Sequence, residues 1–243
     1  MTTYKAPLRD MQFVMRDLLN FEKHYQSLPA CDEVNQELID VILGEASKFS
    51  EEVVAPLNAV GDEAGCRMLD DGEVKTPPGF KEAYQQYVDG GWPSLDQPAR
   101  YGGQGLPMSI GLPIREMNGT ANWSWAMYPG LSHGAMETID EHGSEEQKAI
   151  FMEPLVSGRW TGTMCLTEAH CGTDLGLLRT RAEQAKDGTY RITGSKVFIS
   201  SGEHDMAENI VHIVLARLPG SPPGTKGISL FIVPKFIPNE DGS

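Results

Sequence analysis

Apolar positions in the first part of the chain recur at three- and four-residue intervals. Between residues 32 and 57, Val34, Leu38, Val41, Ile42, Phe49, Val53 and Val54 follow this spacing with Glu, Lys and Asn between them, which predicts a long amphipathic helix. An earlier helix is expected over 10–26, carrying Phe13, Val14, Leu18 and Phe21. Asp70-Asp71-Gly72 reads as a turn, and Thr76 is expected to cap a helix opening at Pro77-Pro78. That helix would bury Phe80, Tyr84, Tyr87 and Val88 and stop at Gly90-Gly91. The density of Pro, Gly and Asp over 92–107 predicts a loop. Helices are expected again over 108–118 and 123–142, and Ser144 with Gln147 three residues on forms a capping-box pattern for a last helix through Leu155.

After Gly158 the pattern changes to short runs rich in Val, Ile, Thr and aromatics. Strands are expected over 161–167, 178–184, 190–200, 210–216 and 227–234, with turns at Asp187-Gly188 and Pro223-Gly224. Within 190–200, Val197 and Ile199 alternate with Phe198 and Ser200, which would put an aromatic and a hydroxyl on one face and the aliphatics on the other. The fold class is therefore α+β, with a helical domain over 1–157 followed by a β domain over 158–243. No period of 20 to 50 residues repeats.

Composition narrows the partners. Acidic residues outnumber basic ones 34 to 20, for a net charge of −14, and no Lys/Arg-rich run interrupts this background, so nucleic acid is excluded as an expected partner. No stretch approaches the roughly 20 apolar residues of a membrane-spanning helix, and the polar start is unlike a secretory signal, so a cytoplasmic protein is expected. Cys31, Cys66, Cys165 and Cys171 form no CxxC pair and are expected as reduced thiols.

The chemistry concentrates in two segments. The first, 164–174, is an alternating run ending in the hydroxyl of Thr167 and a Gly172-Thr173-Asp174 turn, a place where backbone amides and a side-chain donor converge. The second is Lys196-Val197-Phe198-Ile199-Ser200-Ser201-Gly202. Glu168, His170, Cys171 and Asp174 are metal-ligating types, but no second His/Cys pair at ligand spacing accompanies them, and no metal is expected. His133, His142, His204 and His212 are scattered and read as surface or internally satisfied histidines. Trp92, Tyr101 and Gly102-Gly103 could wall an acyl pocket or simply pack the helical domain. No GxSxG, Walker or GxGxxG pattern is present.

Taken in order, Thr167-Glu168-x-x-x-Gly172-Thr173-Asp174 and Lys196-x-Phe198-Ile199-Ser200-Ser201-Gly202 resemble the paired signature of the acyl-CoA dehydrogenases. The opening Tyr4-Lys5-Ala6-Pro7-Leu8-Arg9-Asp10 and the loop Arg100-Tyr101-Gly102-Gly103-Gln104-Gly105-Leu106-Pro107 resemble the larger bacterial, 3-methylmercaptopropionyl-CoA dehydrogenase-like branch of that family. The resemblance implies a β-barrel-like middle domain, a C-terminal helical domain missing from this chain, and FAD as cofactor. It implies that Met164, Cys165 and Leu166 border the flavin pyrimidine side, that Thr167 donates to the ring, and that Phe198, Ile199 and Ser200 meet the flavin. Thr173 would lie near the phosphates or adenine of coenzyme A. The family commonly has tryptophan at the position of Phe198, which keeps a ring but lacks the indole N–H.

The implied reaction is α,β-dehydrogenation of an acyl-CoA thioester, with electrons passed to an electron-transferring flavoprotein by a homodimeric or homotetrameric enzyme. The catalytic base is expected outside this sequence, so these residues alone are expected to bind FAD weakly and to be inactive. An acyl-CoA oxidase or monooxygenase of the same fold, or a non-catalytic flavin- or acyl-CoA-binding fragment, are the alternatives.

Overall fold

The computed structural model describes residues 4–239. The first part is helical: α1 (Leu8–Gln12), α2 (Phe21–Gln26), α3 (Gln36–Phe49) and α4 (Leu57–Ala64) precede a small hairpin of β1 (Arg67–Met68) and β2 (Val74–Lys75). Then come α5 (Phe80–Asp89), α6 (Met108–Ala121), α7 (Trp123–His142) and α8 (Glu145–Val156). The single helix expected over 10–26 is broken, because Asn20 takes a left-handed conformation (φ 48°) and its side chain accepts from the Lys23 N–H, starting α2 afresh. The helix expected over 32–57 begins at its Asn35 cap and widens into a π-helical turn over Ser50–Val54.

Thr76 does not cap α5. Its N–H and hydroxyl both donate to Asp205 (3.1 and 2.8 Å), tying the approach to α5 to the loop before the last part of the sheet. Gly79 precedes α5 instead and offers no side-chain cap. The Ser144/Gln147 capping box forms as the spacing predicts.

Helix gives way to strand between Val156 and Trp160. Strands β3 (Trp160–Cys165), β4 (Arg181–Gln184), β5 (Tyr190–Thr193), β6 (Asn209–Arg217) and β7 (Ile228–Pro234) form one mixed sheet. The buried β6 is its spine: β3 runs parallel to it from Asn209 to Val214, β4 takes over at Arg217, and β7 pairs antiparallel over Val211–Arg217. With both faces covered, β6 reads as a continuous apolar run apart from His212. The strand expected over 190–200 stops at Thr193. Gly194 is pressed against Thr180, where a Cβ would stand 2.3 Å from the hydroxyl, and Phe198 and Ser201 adopt left-handed φ of 55° and 57°. Residues 194–202 are therefore a turn.

Helix α7 lies on β3, and the two approach closely because Gly162 has no side chain. A Cβ there would sit 2.4 Å from the Ala135 Cβ, and the Gly162 N–H donates to the Ser132 hydroxyl at 3.0 Å. Ala135, Met136, Ile139, Leu155 and Trp160 form the core at this junction. By strand alternation Thr161 and Thr163 face away from α7. The Thr161 hydroxyl meets the His204 Nε2 at 2.9 Å, and the His204 Nδ1 accepts from the Met206 N–H at 3.2 Å. Burial lowers the pKa of this imidazole to about 4.

The far end of β3 is held by a carboxylate. Glu168, 4% exposed, accepts from the Arg179 N–H (2.8 Å), the Thr180 N–H (2.9 Å), the Thr180 hydroxyl (2.6 Å) and the Lys196 ammonium (2.9 Å). Burial works to raise its pKa, but these donors outweigh it and hold the pKa down to about 2. The three segments that meet here are the end of β3, the approach to β4 and the turn after β5.

Two expectations follow for stability. The folded-state pKa of Glu168 lies below its unfolded value of about 4.3, so its contribution, about 3 kcal/mol, is present above that value and is lost as pH falls toward 2. Glu168→Gln should cost about 3–5 kcal/mol at pH 7, because Lys196 loses its counter-charge, and should flatten the acid limb of stability by about one proton. Denaturant unfolding between pH 2 and 7 checks this, and an unchanged acid limb would refute it. Gly162→Val should destabilise by about 1–3 kcal/mol through overpacking, with part of the loss recovered by Ala135→Gly. Additive effects in that double-mutant cycle would show that α7 and β3 do not meet through these two positions.

Candidate functional site

The end of β3 and the turn over 194–202 are brought together by backbone and side-chain bonds. The Val197 N–H donates to the Thr167 carbonyl at 2.9 Å, and the Lys196 ammonium donates to the Leu166 carbonyl at 3.1 Å as well as to Glu168. From the middle of the strand, the Thr163 hydroxyl donates to the Ser200 carbonyl at 2.7 Å. Behind the turn, His212 on β6 places Nε2 2.7 Å from the Gly202 carbonyl and Nδ1 3.0 Å from the Val233 carbonyl.

The burial of each named residue follows from this frame. Met164 is half-buried against the core shared by α7 and α8. Cys165 is buried on the opposite face, where burial raises its thiol pKa to about 11 despite nearby Lys196. Leu166 and Thr167 are half-buried, and the Thr167 hydroxyl takes no protein partner among the described residues. Phe198 is 91% exposed, while Val197 and Ile199 on either side are half-buried and Ser200 is exposed. The expected separation of faces survives, although a left-handed turn rather than a strand produces it. The Ser201 hydroxyl is buried with no hydrogen-bond partner among the described residues.

Thr173 is exposed beyond the Glu168–Cys171 bridge, in a turn where Asp174 accepts from the Gly176 N–H at 3.0 Å. No hydrogen bond links it to the 194–202 turn among the described residues. The bridge also brings Glu168, His170 and Cys171 ligand atoms within 4.8 Å of one another, without Asp174. Glu168 is already committed to four donors, and the His170 Nε2 lies 3.0 Å from the Leu177 carbonyl, so the trio serves the turn.

A pocket of about 300 Å³ opens in the helical part against the same α7–β3 junction. Tyr84, Tyr87, Trp92, Met127 and Met136 give it apolar walls. Gly130 lines it too, and nothing lies within 4 Å of where a Cβ would stand. Trp92 therefore faces a cavity, as one of its two sequence readings allowed. Tyr101 does not: its hydroxyl donates to Asp140 at 2.8 Å, and Gly103 is pressed on the Gln97 carbonyl.

Sequence reasoning missed the polar side of this pocket. Asp96 is buried to 4% side-chain exposure, accepts from the Arg115 Nη1 at 2.8 Å and from the Gln97 Nε2 at 3.3 Å, and lies 3.3 Å from the His133 Nε2. Burial raises its pKa, but the bonds from His133 and Arg115 outweigh this and hold it at about 2. The partners come from a loop and two helices, so no local spacing announces them.

Comparison with known proteins matches both parts of the chain. Residues 39–159 match the model of the acyl-CoA dehydrogenase N-terminal domain, and residues 163–242 match that of the acyl-CoA dehydrogenase middle domain. The chain is 44% identical to 3-methylmercaptopropionyl-CoA dehydrogenase of Ruegeria pomeroyi over 99% of its own length and 40% of that protein's. It therefore spans about two fifths of that relative. Its fold is similar to butyryl-CoA dehydrogenase of Megasphaera elsdenii (TM-score 0.66, 27% identity, 82% of this chain and 49% of that one). It is also similar to an acyl-CoA dehydrogenase of Bacillus anthracis complexed with FAD (TM-score 0.65, 25% identity, 83% and 31%). With two models of one family matched in succession across the helical part and the sheet, the chain belongs to the acyl-CoA dehydrogenase family.

Proposed function

We propose that the chain forms the N-terminal (1–157) and middle (158–243) domains of an FAD-dependent enzyme that dehydrogenates an acyl-CoA thioester to the 2-enoyl-CoA. One observation carries this reading. The 194–202 turn is bonded to β3 and to the residues that follow it, yet it leaves the Phe198 ring in solvent. A braced turn that presents an aromatic face beside the unpartnered Thr167 hydroxyl fits a flat polar ring such as flavin.

In this reading the Thr167 hydroxyl donates to the ring, Phe198 and Ile199 pack against it, and Ser200 and the backbone from Met164 to Leu166 complete the polar edge. When bound, FAD supplies the hydride acceptor for oxidation of the Cα–Cβ bond. Fixed N–H and O–H donors beside the ring favour its reduced, more negative form. Thr173, exposed beyond the turn, faces the coenzyme A phosphates or adenine. The pocket beside α7 holds the acyl group and excludes water from it.

Glu168 is not the base that removes the α proton, because its oxygens are occupied by four donors and its role is to join the segments. That base is expected outside these residues. An electron-transferring flavoprotein is the acceptor we infer, and a cytoplasmic homodimer or homotetramer the assembly. Among the described residues no helix is long and apolar enough to cross a membrane.

Two substitutions test the assignments in the full-length protein. Thr167→Val keeps the side-chain shape and removes the donor, so FAD should bind about 1–3 kcal/mol more weakly or shift its potential, with the melting temperature of the apoprotein unchanged. Unaltered FAD retention, spectrum and potential would return Thr167 to a packing role. Gly130→Phe fills open space in the pocket, so acyl-CoA affinity should fall at least tenfold while FAD binding holds. Unchanged acyl-CoA binding would remove the pocket from the reading.

A further inference from the structure

We propose that the pocket beside α7 selects acyl chains that carry a neutral oxygen acceptor, an ether, hydroxyl or carbonyl oxygen, and that Arg115 is the donor that reads it. This rests on the assignment of that pocket to the acyl group.

The walls alone would suit a plain alkyl chain. Against them stands an ion cluster assembled from three elements: Asp96 in the loop before α6, Arg115 on α6 and His133 on α7. The cluster is built into the packing. Asp96 reaches α6 only because residue 111 is glycine, where a Cβ would lie 2.3 Å from the carboxylate oxygen.

Pairing with Asp96 occupies one N–H of Arg115. A guanidinium carries five, and the remaining four have no protein acceptor among the described residues. Arg115 also borders the cavity and is 30% exposed. An alkyl chain that displaced water from these donors would leave them unpaired, whereas a chain with an oxygen beside them would restore a bond.

Charge decides between a neutral and an acidic acceptor. Asp96 already faces both Arg115 and His133, and Glu137 approaches the His133 Nδ1 at 3.5 Å. Two carboxylates thus stand beside one guanidinium and one imidazole, and a chain ending in a third carboxylate would meet no spare positive charge. A neutral acceptor takes the free N–H groups without that repulsion.

Three probes of matched length test the inference: hexanoyl-CoA, 4-methoxybutanoyl-CoA, in which an ether oxygen replaces one methylene, and glutaryl-CoA. Binding to the intact protein is read by calorimetry and by the fluorescence of Trp92 and Trp123, which line the pocket. The ether should bind about tenfold more tightly than hexanoyl-CoA, and glutaryl-CoA should not exceed the ether. Arg115→Met should erase the preference of the ether over hexanoyl-CoA. Arg115→Lys keeps the charge facing Asp96 but presents fewer donors, and should reduce the preference if the methionine variant does not fold. Equal binding of ether and alkyl probes, a preference that survives in a folded Arg115 variant, or strongest binding by glutaryl-CoA would each overturn the inference while leaving the pocket as an acyl site. Failure of all three to bind would overturn both.

Discussion

A carboxylate taken out of water must be met by donors, and the far end of the sheet is organised around that demand. Glu168 draws in the Arg179 and Thr180 backbone, the Thr180 hydroxyl and Lys196, groups 11 to 28 residues further along the chain. Each donor belongs to a segment with little regular structure of its own. Without Glu168, Lys196 would have no counter-charge, the approach to β4 would lose three bonds, and the turn carrying Phe198 would be held mainly by the Val197 and Thr163 bonds. The family signature is thus physical at its centre, because its glutamate holds together the residues assigned to the flavin.

The second constraint is the closeness of α7 to β3. Gly162 removes the only side chain that would keep them apart, and the Ser132 hydroxyl uses the strand N–H exposed by that approach. Ser132, Met136 and Leu155 serve the junction and also line the pocket. The pocket proposed for the acyl group and the strand that leads to the residues proposed for the flavin are therefore parts of one packed unit, in which movement of α7 would alter both.

Polar groups in the two places are handled differently. Around Glu168 nearly every lone pair is taken, which makes a rigid joint. In the pocket, Asp96 is satisfied but Arg115 keeps donors in reserve, and near Phe198 the half-buried Thr167 hydroxyl has no protein partner among the described residues. A saturated network next to unsaturated ones separates the groups that hold the fold from those available to a ligand.

The α+β order, the helices over 108–118 and 123–142, the capping box at Ser144 and strands β3, β6 and β7 were legible in the sequence because they depend on local periodicity and cap chemistry, which neighbours along the chain express. The two signature segments were legible for the same reason, as compact runs of residues. The break at Asn20, the early end of β5 at Thr193 and the bond from Thr76 to Asp205 were not, since each is decided by a competing local conformation or by a partner far along the chain. The pairing of Glu168 with Lys196 and the cluster of Asp96, Arg115 and His133 belong to the same class. The sequence by itself determined which elements form and which residue types are available for chemistry; only the tertiary structure decided which charges meet, because the cost of burying a charge is settled by groups that folding brings together from distant parts of the chain.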